Sequence, residues 1–139
     1  MVSRSKLSQA ILRAADRIDL LTARMAESIG LTPRQVEVII TLAERPGLAQ
    51  TEISDLTMID RSTLSGVLRV LRNKKLITRR RSETDERAYQ NYLSKSGERL
   101  APKCIEIRRE IDQRVNTIFL SDGPLYDMLF NIAHLEEAT

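Results

Sequence analysis

The chain has 139 residues, 42% hydrophobic and 29% charged, the balance of a single globular domain that can bury its own core. Its net charge is +3, no run approaches ~18 apolar residues, and the start Met1-Val-Ser-Arg-Ser-Lys lacks an apolar stretch behind it, so neither a membrane span nor a secretory signal is expected. One cysteine allows no internal disulfide and suits a reducing cytoplasm, and 4% aromatics without Trp disfavour a base-stacking platform for single strands or RNA.

Residues 5–29 contain neither Gly nor Pro and read as a long helix. Leu7, Ile11, Ala14, Ile18, Leu21 and Met25 fall alternately four and three apart, a heptad-like seam. Ala10, Ala15, Leu20 and Ala26 widen it, giving apolar surface for the helix's own domain and for a second chain. Gly30 ends this helix. Thr32 and Pro33 cap and open the next, which carries Val36, Ile39, Ile40 and Ala43 and stops at Arg45-Pro46-Gly47. A short helix over residues 50–57 is expected to pack through Ile53 and Leu56, and Met58-Ile59-Asp60 turns the chain.

Asp60 is a natural N-cap for a helix over residues 61–72. Leu64, Val67, Leu68 and Leu71 recur as one apolar stripe, and the opposite face carries Ser62, Thr63, Ser65, Gly66, Arg69 and Arg72. A helix that enters the DNA major groove needs small hydrogen-bonding side chains near its N-terminus and cations where it passes phosphates. An amphipathic core helix with a solvated face would carry the same stripe, so this segment leaves both readings open. The next one separates them. A β-like run over 76–81 ends in Arg79, Arg80 and Arg81, a polar turn covers 82–86, and a second run over 87–93 opens on Arg87. From Arg61 to Arg87 there are nine Lys or Arg against three acids, a balance of +6, so the remainder of the chain sums to −3. A solvated surface would mix signs; cations confined to one helix and one hairpin fit phosphate binding.

Ser94 caps another long helix, whose seam of Leu100, Cys104, Ile107, Ile111 and Ile118 runs to about residue 120 and which Pro102 is expected to bend. Residues 121–124, Ser-Asp-Gly-Pro, break the chain and cap a last helix with Leu125, Met128, Leu129, Ile132 and Leu135 apolar. These helices hold more apolar surface than one small core uses, which points to a homodimer. The expected fold is mainly α with a small β-hairpin wing. A winged helix-turn-helix at 31–93 lies between dimerisation helices at 5–29 and 94–139, all within one domain, 1–139.

Asp85-Glu-Arg87, the alternating strand behind it and Leu93-Ser94-Lys95-Ser96-Gly97 resemble the MarR family signature: aspartate-any-arginine in the wing, a strand, then a helix start containing glycine. Residues 71–80, Leu-Arg-Asn-Lys-Lys-Leu-Ile-Thr-Arg-Arg, are similar to that family's recognition-helix end and the strand leading into its wing. The resemblance covers nearly the whole chain. It implies a homodimeric bacterial transcription regulator with Arg87 in the minor groove, and Asp85 can hold that guanidinium in place. Two positions depart from the pattern. Lys75 stands where glycine commonly ends the recognition helix, which requires left-handed backbone at a non-glycine residue. Ala49 stands where a Ser or Thr cap is usual, although Glu52 keeps half of a capping box. The family commonly binds small, often anionic aromatic molecules between its DNA unit and its dimer helices. By that resemblance Arg24, Met25, Val38 and Leu42 line such a pocket, with ordinary inter-helix packing as the competing reading.

Other chemistry finds no support. Cys104 sits on an apolar seam and reads as a small buried hydrophobe. Peroxide-sensing members of the family place a cysteine near the start of the first helix, where this chain has Leu7, Ala10 and Ile11. His134 is the sole histidine, and no Ser-His-Asp set, Walker loop or glycine-rich nucleotide loop occurs. The chain therefore reads as a non-enzyme without cofactor or metal, whose partners are double-stranded DNA with a near-palindromic operator, a second copy of itself and a small-molecule effector, with no membrane. The DNA-contact candidates are Ser62, Thr63, Ser65, Arg69, Arg72, Arg79, Arg80, Arg81, Asp85 and Arg87. The leading expectation is a repressor released by a ligand. The alternative is a winged-helix module that binds protein or coats DNA without sequence choice.

Overall fold

In the computed structural model, residues 6–85, 88–118 and 123–135 are described. Six helices and one hairpin follow in the order α1 (Leu7–Ala26), α2 (Pro33–Glu44), α3 (Gln50–Thr57), α4 (Arg61–Asn73), β1 (Ile77–Arg81), β2 (Tyr89–Leu93), α5 (Lys95–Asn116) and α6 (Gly123–Ala133). No helix among the described residues is long and apolar enough to cross a membrane.

The boundaries follow from local chemistry. A single 3-10 turn, Glu27–Ile29, extends α1 to Gly30, whose φ of 69° lets Leu31 N–H reach back to the Ala26 carbonyl at 3.3 Å. Thr32 opens α2 with a full capping box: its hydroxyl accepts from Gln35 N–H, and the Gln35 side chain accepts from Thr32 N–H. At Ala49 only half of the box forms, Glu52 Oε1 accepting the Ala49 N–H at 3.1 Å. Lys75 does take left-handed backbone, φ 58°, and the 3.0 Å bond from Leu76 N–H to the Leu71 carbonyl closes α4 behind it. Met58 ends α3 in the same conformation, φ 59°.

α2 is the hub, touching α1, α3, α4, α5 and β2. Val36, Val38, Ile39 and Leu42 from it meet Ile53, Leu64, Leu68, Leu71 and Ile77 of α3, α4 and β1 and Ala101, Cys104 and Ile107 of α5 in one core. Leu56 is half exposed instead of packing as expected; Ile59, just past the turn, is buried in its stead. Within α5 the seam is spent inside the chain, since Cys104, Ile107 and Ile111 are buried against α1 and α2, whereas Ile118, past the end of the helix, is exposed. α5 runs unbroken through Pro102. The expected break and cap at Ser121 and Asp122 lie outside the described residues.

β1 and β2 pair antiparallel from Ile77 opposite Leu93 to Arg81 opposite Tyr89. Leu48 adds a short third edge. It bridges to Asn91, a buried residue whose N–H and side-chain amide both donate to the Leu48 carbonyl, at 2.9 and 3.0 Å. Gly97 lets α5 begin directly beneath the wing. A Cβ there would lie 2.1 Å from the Leu76 carbonyl oxygen, so only glycine fits.

Candidate nucleic-acid interface

Asp60 organises the tip of α4. Its Oδ1 accepts the Thr63 N–H at 2.9 Å and the Ser62 hydroxyl at 2.7 Å, and its Oδ2 accepts the Thr63 hydroxyl at 2.6 Å. The Thr63 hydroxyl, the Thr63 amide and the Ser62 hydroxyl together hold this carboxyl down to about 2, so it is ionised at neutral pH. One turn later, Ser65 Oγ accepts from Gln50 Nε2 at 2.6 Å. Gln50 is the first residue of α3, so this bond ties the two helices of the turn motif together at the exposed surface. Sequence reasoning missed Gln50. A surface glutamine fifteen positions away gives no periodic signal of its partner.

Arg69 and Arg72 follow on the same helix, and the pleat of the wing decides which arginines join them. Arg79 and Arg81 flank Tyr89, their guanidinium carbons 4.6 and 5.6 Å from its ring centre. Arg80 lies on the other face of the hairpin, 4.6 Å over Tyr92, whose ring packs on Gly47. The three consecutive arginines therefore do not share a surface. Burial lowers the Arg72 pKa from its ordinary value, and the nearby charges of Arg79 and then Arg69 lower it further. Like charges held this close are relieved by an arriving anion. Between α3, α4 and the wing lies a cleft of about 340 Å³ lined by Gln50, Thr51, Arg72, Arg79, Tyr89 and Asn91.

Lys74 is committed elsewhere, its Nζ donating to the Gly30 carbonyl. Asp85 is exposed at the wing turn, where its carbonyl accepts from Ala88 N–H at 3.1 Å. Arg87 lies outside the described residues. Of the four residues considered for a ligand pocket, Val38 and Leu42 are fully buried in the core, Met25 packs against it and Arg24 is exposed. A separate cleft of about 280 Å³ opens between α1, α2 and α5, lined by Ile18, Asp19, Arg34, Glu37, Arg108 and Ile111. Burial raises the Glu37 carboxyl above its ordinary value, against the opposing pull of Arg108 and Arg34. Among the described residues no group of His, Cys, Asp and Glu could hold a metal ion.

A capped helix presenting hydroxyls, braced by a preceding helix and flanked by an arginine-edged hairpin, defines a winged helix-turn-helix protein. A sequence model described as MarR family matches residues 29–88. The transcriptional regulator HosA of Escherichia coli is 27% identical over 93 residues, 66% of this chain and 69% of that protein. Among solved structures, the transcriptional repressor CouR bound to a 23-mer DNA duplex is 26% identical with a TM-score of 0.78, covering 96% of this chain and 99% of that one. Staphylococcus aureus MepR, in a DNA complex, is 25% identical with a TM-score of 0.77 and 95% coverage of each chain. Over residues 29–88 the chain is thus similar to MarR-family transcriptional regulators.

Proposed function

We propose that this chain is a MarR-family transcription regulator that binds double-stranded DNA as a homodimer at a near-palindromic operator and acts as a repressor that a small molecule releases. The observation that carries DNA reading is the meeting of the Ser62, Thr63 and Ser65 hydroxyls with the Arg69, Arg72, Arg79 and Arg81 guanidinium groups on adjoining surfaces of α4 and the wing. Hydroxyls suit base edges and guanidinium groups suit phosphates. Asp85 and Arg87 form the wing tip in this reading, with Arg87 in the minor groove as the family resemblance implies. Arg80 faces away and contributes through long-range charge alone.

The homodimer is supported by what one chain leaves uncovered. Leu7, Leu12 and Leu20 on α1 and Tyr126, Met128, Phe130 and Ile132 on α6 are all exposed, large apolar side chains that a partner surface would cover. Two-fold pairing through α1 and α6 would cover it and impose two-fold symmetry on the DNA site. For the effector, the cleft between α1, α2 and α5 offers Arg34 and Arg108 to an anion and Ile18 and Ile111 to an apolar ring. It adjoins α1, so an occupant there could shift the reading units against the dimer helices. Selection of bound sequences from random duplex DNA tests the reading: enrichment of a near-palindrome is the expected result. Retention without enrichment at moderate salt would instead mark a protein that coats DNA.

A further inference from the structure

The hydroxyls at the α4 tip do not point their protons at random. An ionised carboxylate has no proton to give, and each Asp60 oxygen lies 2.6 or 2.7 Å from one hydroxyl oxygen. Ser62 and Thr63 must therefore both donate inward, which leaves only lone pairs facing out. Lone pairs cannot bind phosphate oxygens, guanine O6 or N7, or thymine O4, all of which are acceptors. The major-groove donors they can meet are the exocyclic amino groups of adenine and cytosine. Ser65 has the opposite polarity. The Gln50 terminal atom that bonds it also lies 3.5 Å from the Arg61 carbonyl oxygen, which is acceptor-only, so that atom is the amide nitrogen. Ser65 Oγ thus accepts from Gln50, and its own proton is available to an acceptor on DNA.

We propose that Asp60 and Gln50 are specificity-determining residues: Asp60 sets Ser62 and Thr63 to read the amino group of an adenine or cytosine, and Gln50 sets Ser65 to donate to DNA. The inference rests on the sequence-specific reading proposed above. It also explains a carboxylate at the surface meant to meet a polyanion, where charge alone would count against it.

The test uses the full-length protein and the operator that it selects from random DNA. Adenines in each half-site are replaced singly by purine, and cytosines by 2-pyrimidinone, removing one amino group at a time. Wild type should lose roughly ten-fold in affinity at one or two such positions per half-site, the low end of a specific base contact. Asp60→Asn keeps a good N-cap but brings two protons into the cluster, so a hydroxyl proton turns outward. In that variant Ser62 still donates to the capping oxygen, and the amine removal read by Thr63 should cost no more than about two-fold, less than the weakest of such contacts. Thr63→Val, which keeps the shape and removes the oxygen, should lose the sensitivity as well. Equal sensitivity in wild type and both variants would overturn the proposal, as would amine removals that cost nothing anywhere. A uniform drop in Asp60→Asn affinity with the analogue pattern intact would leave Asp60 as a cap only and also overturn it. Failure of the wild type to select any sequence would instead break the DNA-reading proposal, and this one with it.

Discussion

Cys104 has no exposed surface, and burial pushes its thiol up to about 11. At neutral pH it holds its proton and is sealed from reagents, so a thiol-specific label should react with the native chain only as fast as the chain opens, and fully in denaturant. Rapid native labelling would contradict this. Asp60 carries its own pH dependence. Its folded value of about 2 lies below the ordinary 3.8, so its stabilising effect is complete above the unfolded value and is lost as pH falls towards 2. Asp60→Ala should therefore lower Tm at pH 7, and the gap to wild type should narrow below about pH 4. The pleat makes a sharper prediction. Arg79→Ala should weaken operator binding by roughly 1–3 kcal/mol, or lower the salt slope by about one, whereas Arg80→Ala should do neither. Equal losses would mean that the hairpin acts only as a patch of charge.

Among the elements, the joint between α4, the wing and α5 concentrates the constraints. Ser94 caps α5 through Gly97 N–H, its hydroxyl donates to the Lys75 carbonyl at 2.7 Å, and Gly97 touches the Leu76 carbonyl. Gly97→Ala should destabilise the fold by roughly 1–3 kcal/mol in chemical denaturation, because the atom it meets is backbone and cannot step aside. Lys75→Gly should do the reverse, adding up to about 1 kcal/mol by removing the left-handed strain. At this joint the sequence was informative. A helix's own stripe, its caps and the Lys75 departure are local properties, readable within a few positions. Three features were not readable. The Gln50–Ser65 bond, the Leu48 edge on the hairpin and the opposite facing of Arg80 all depend on partners brought near by folding or on the phase of a strand pairing. Leu56 failed for a related reason: a helix of two turns does not reveal which of two apolar residues the turn behind it will cover.

For the whole molecule, the two long seams prove to be of different kinds. The α5 seam closes the chain's own core through Ile107 and Ile111, while α1 and α6 keep apolar faces outward. Charged substitutions should separate the two. Ile107→Asp buries an unpaired charge at a cost on the order of several kcal/mol and should unfold the protein. Phe130→Asp should leave a folded chain that sediments as a monomer of 15.8 kDa, and wild type should sediment at about twice that mass. Whether two copies read one two-fold site is decided by a hydroxyl-radical footprint of the complex on the selected operator. The expected pattern is two protected half-sites related by a two-fold axis, their centres about 10 base pairs apart. Protection of a single half-site, or even protection along the whole duplex, would contradict it.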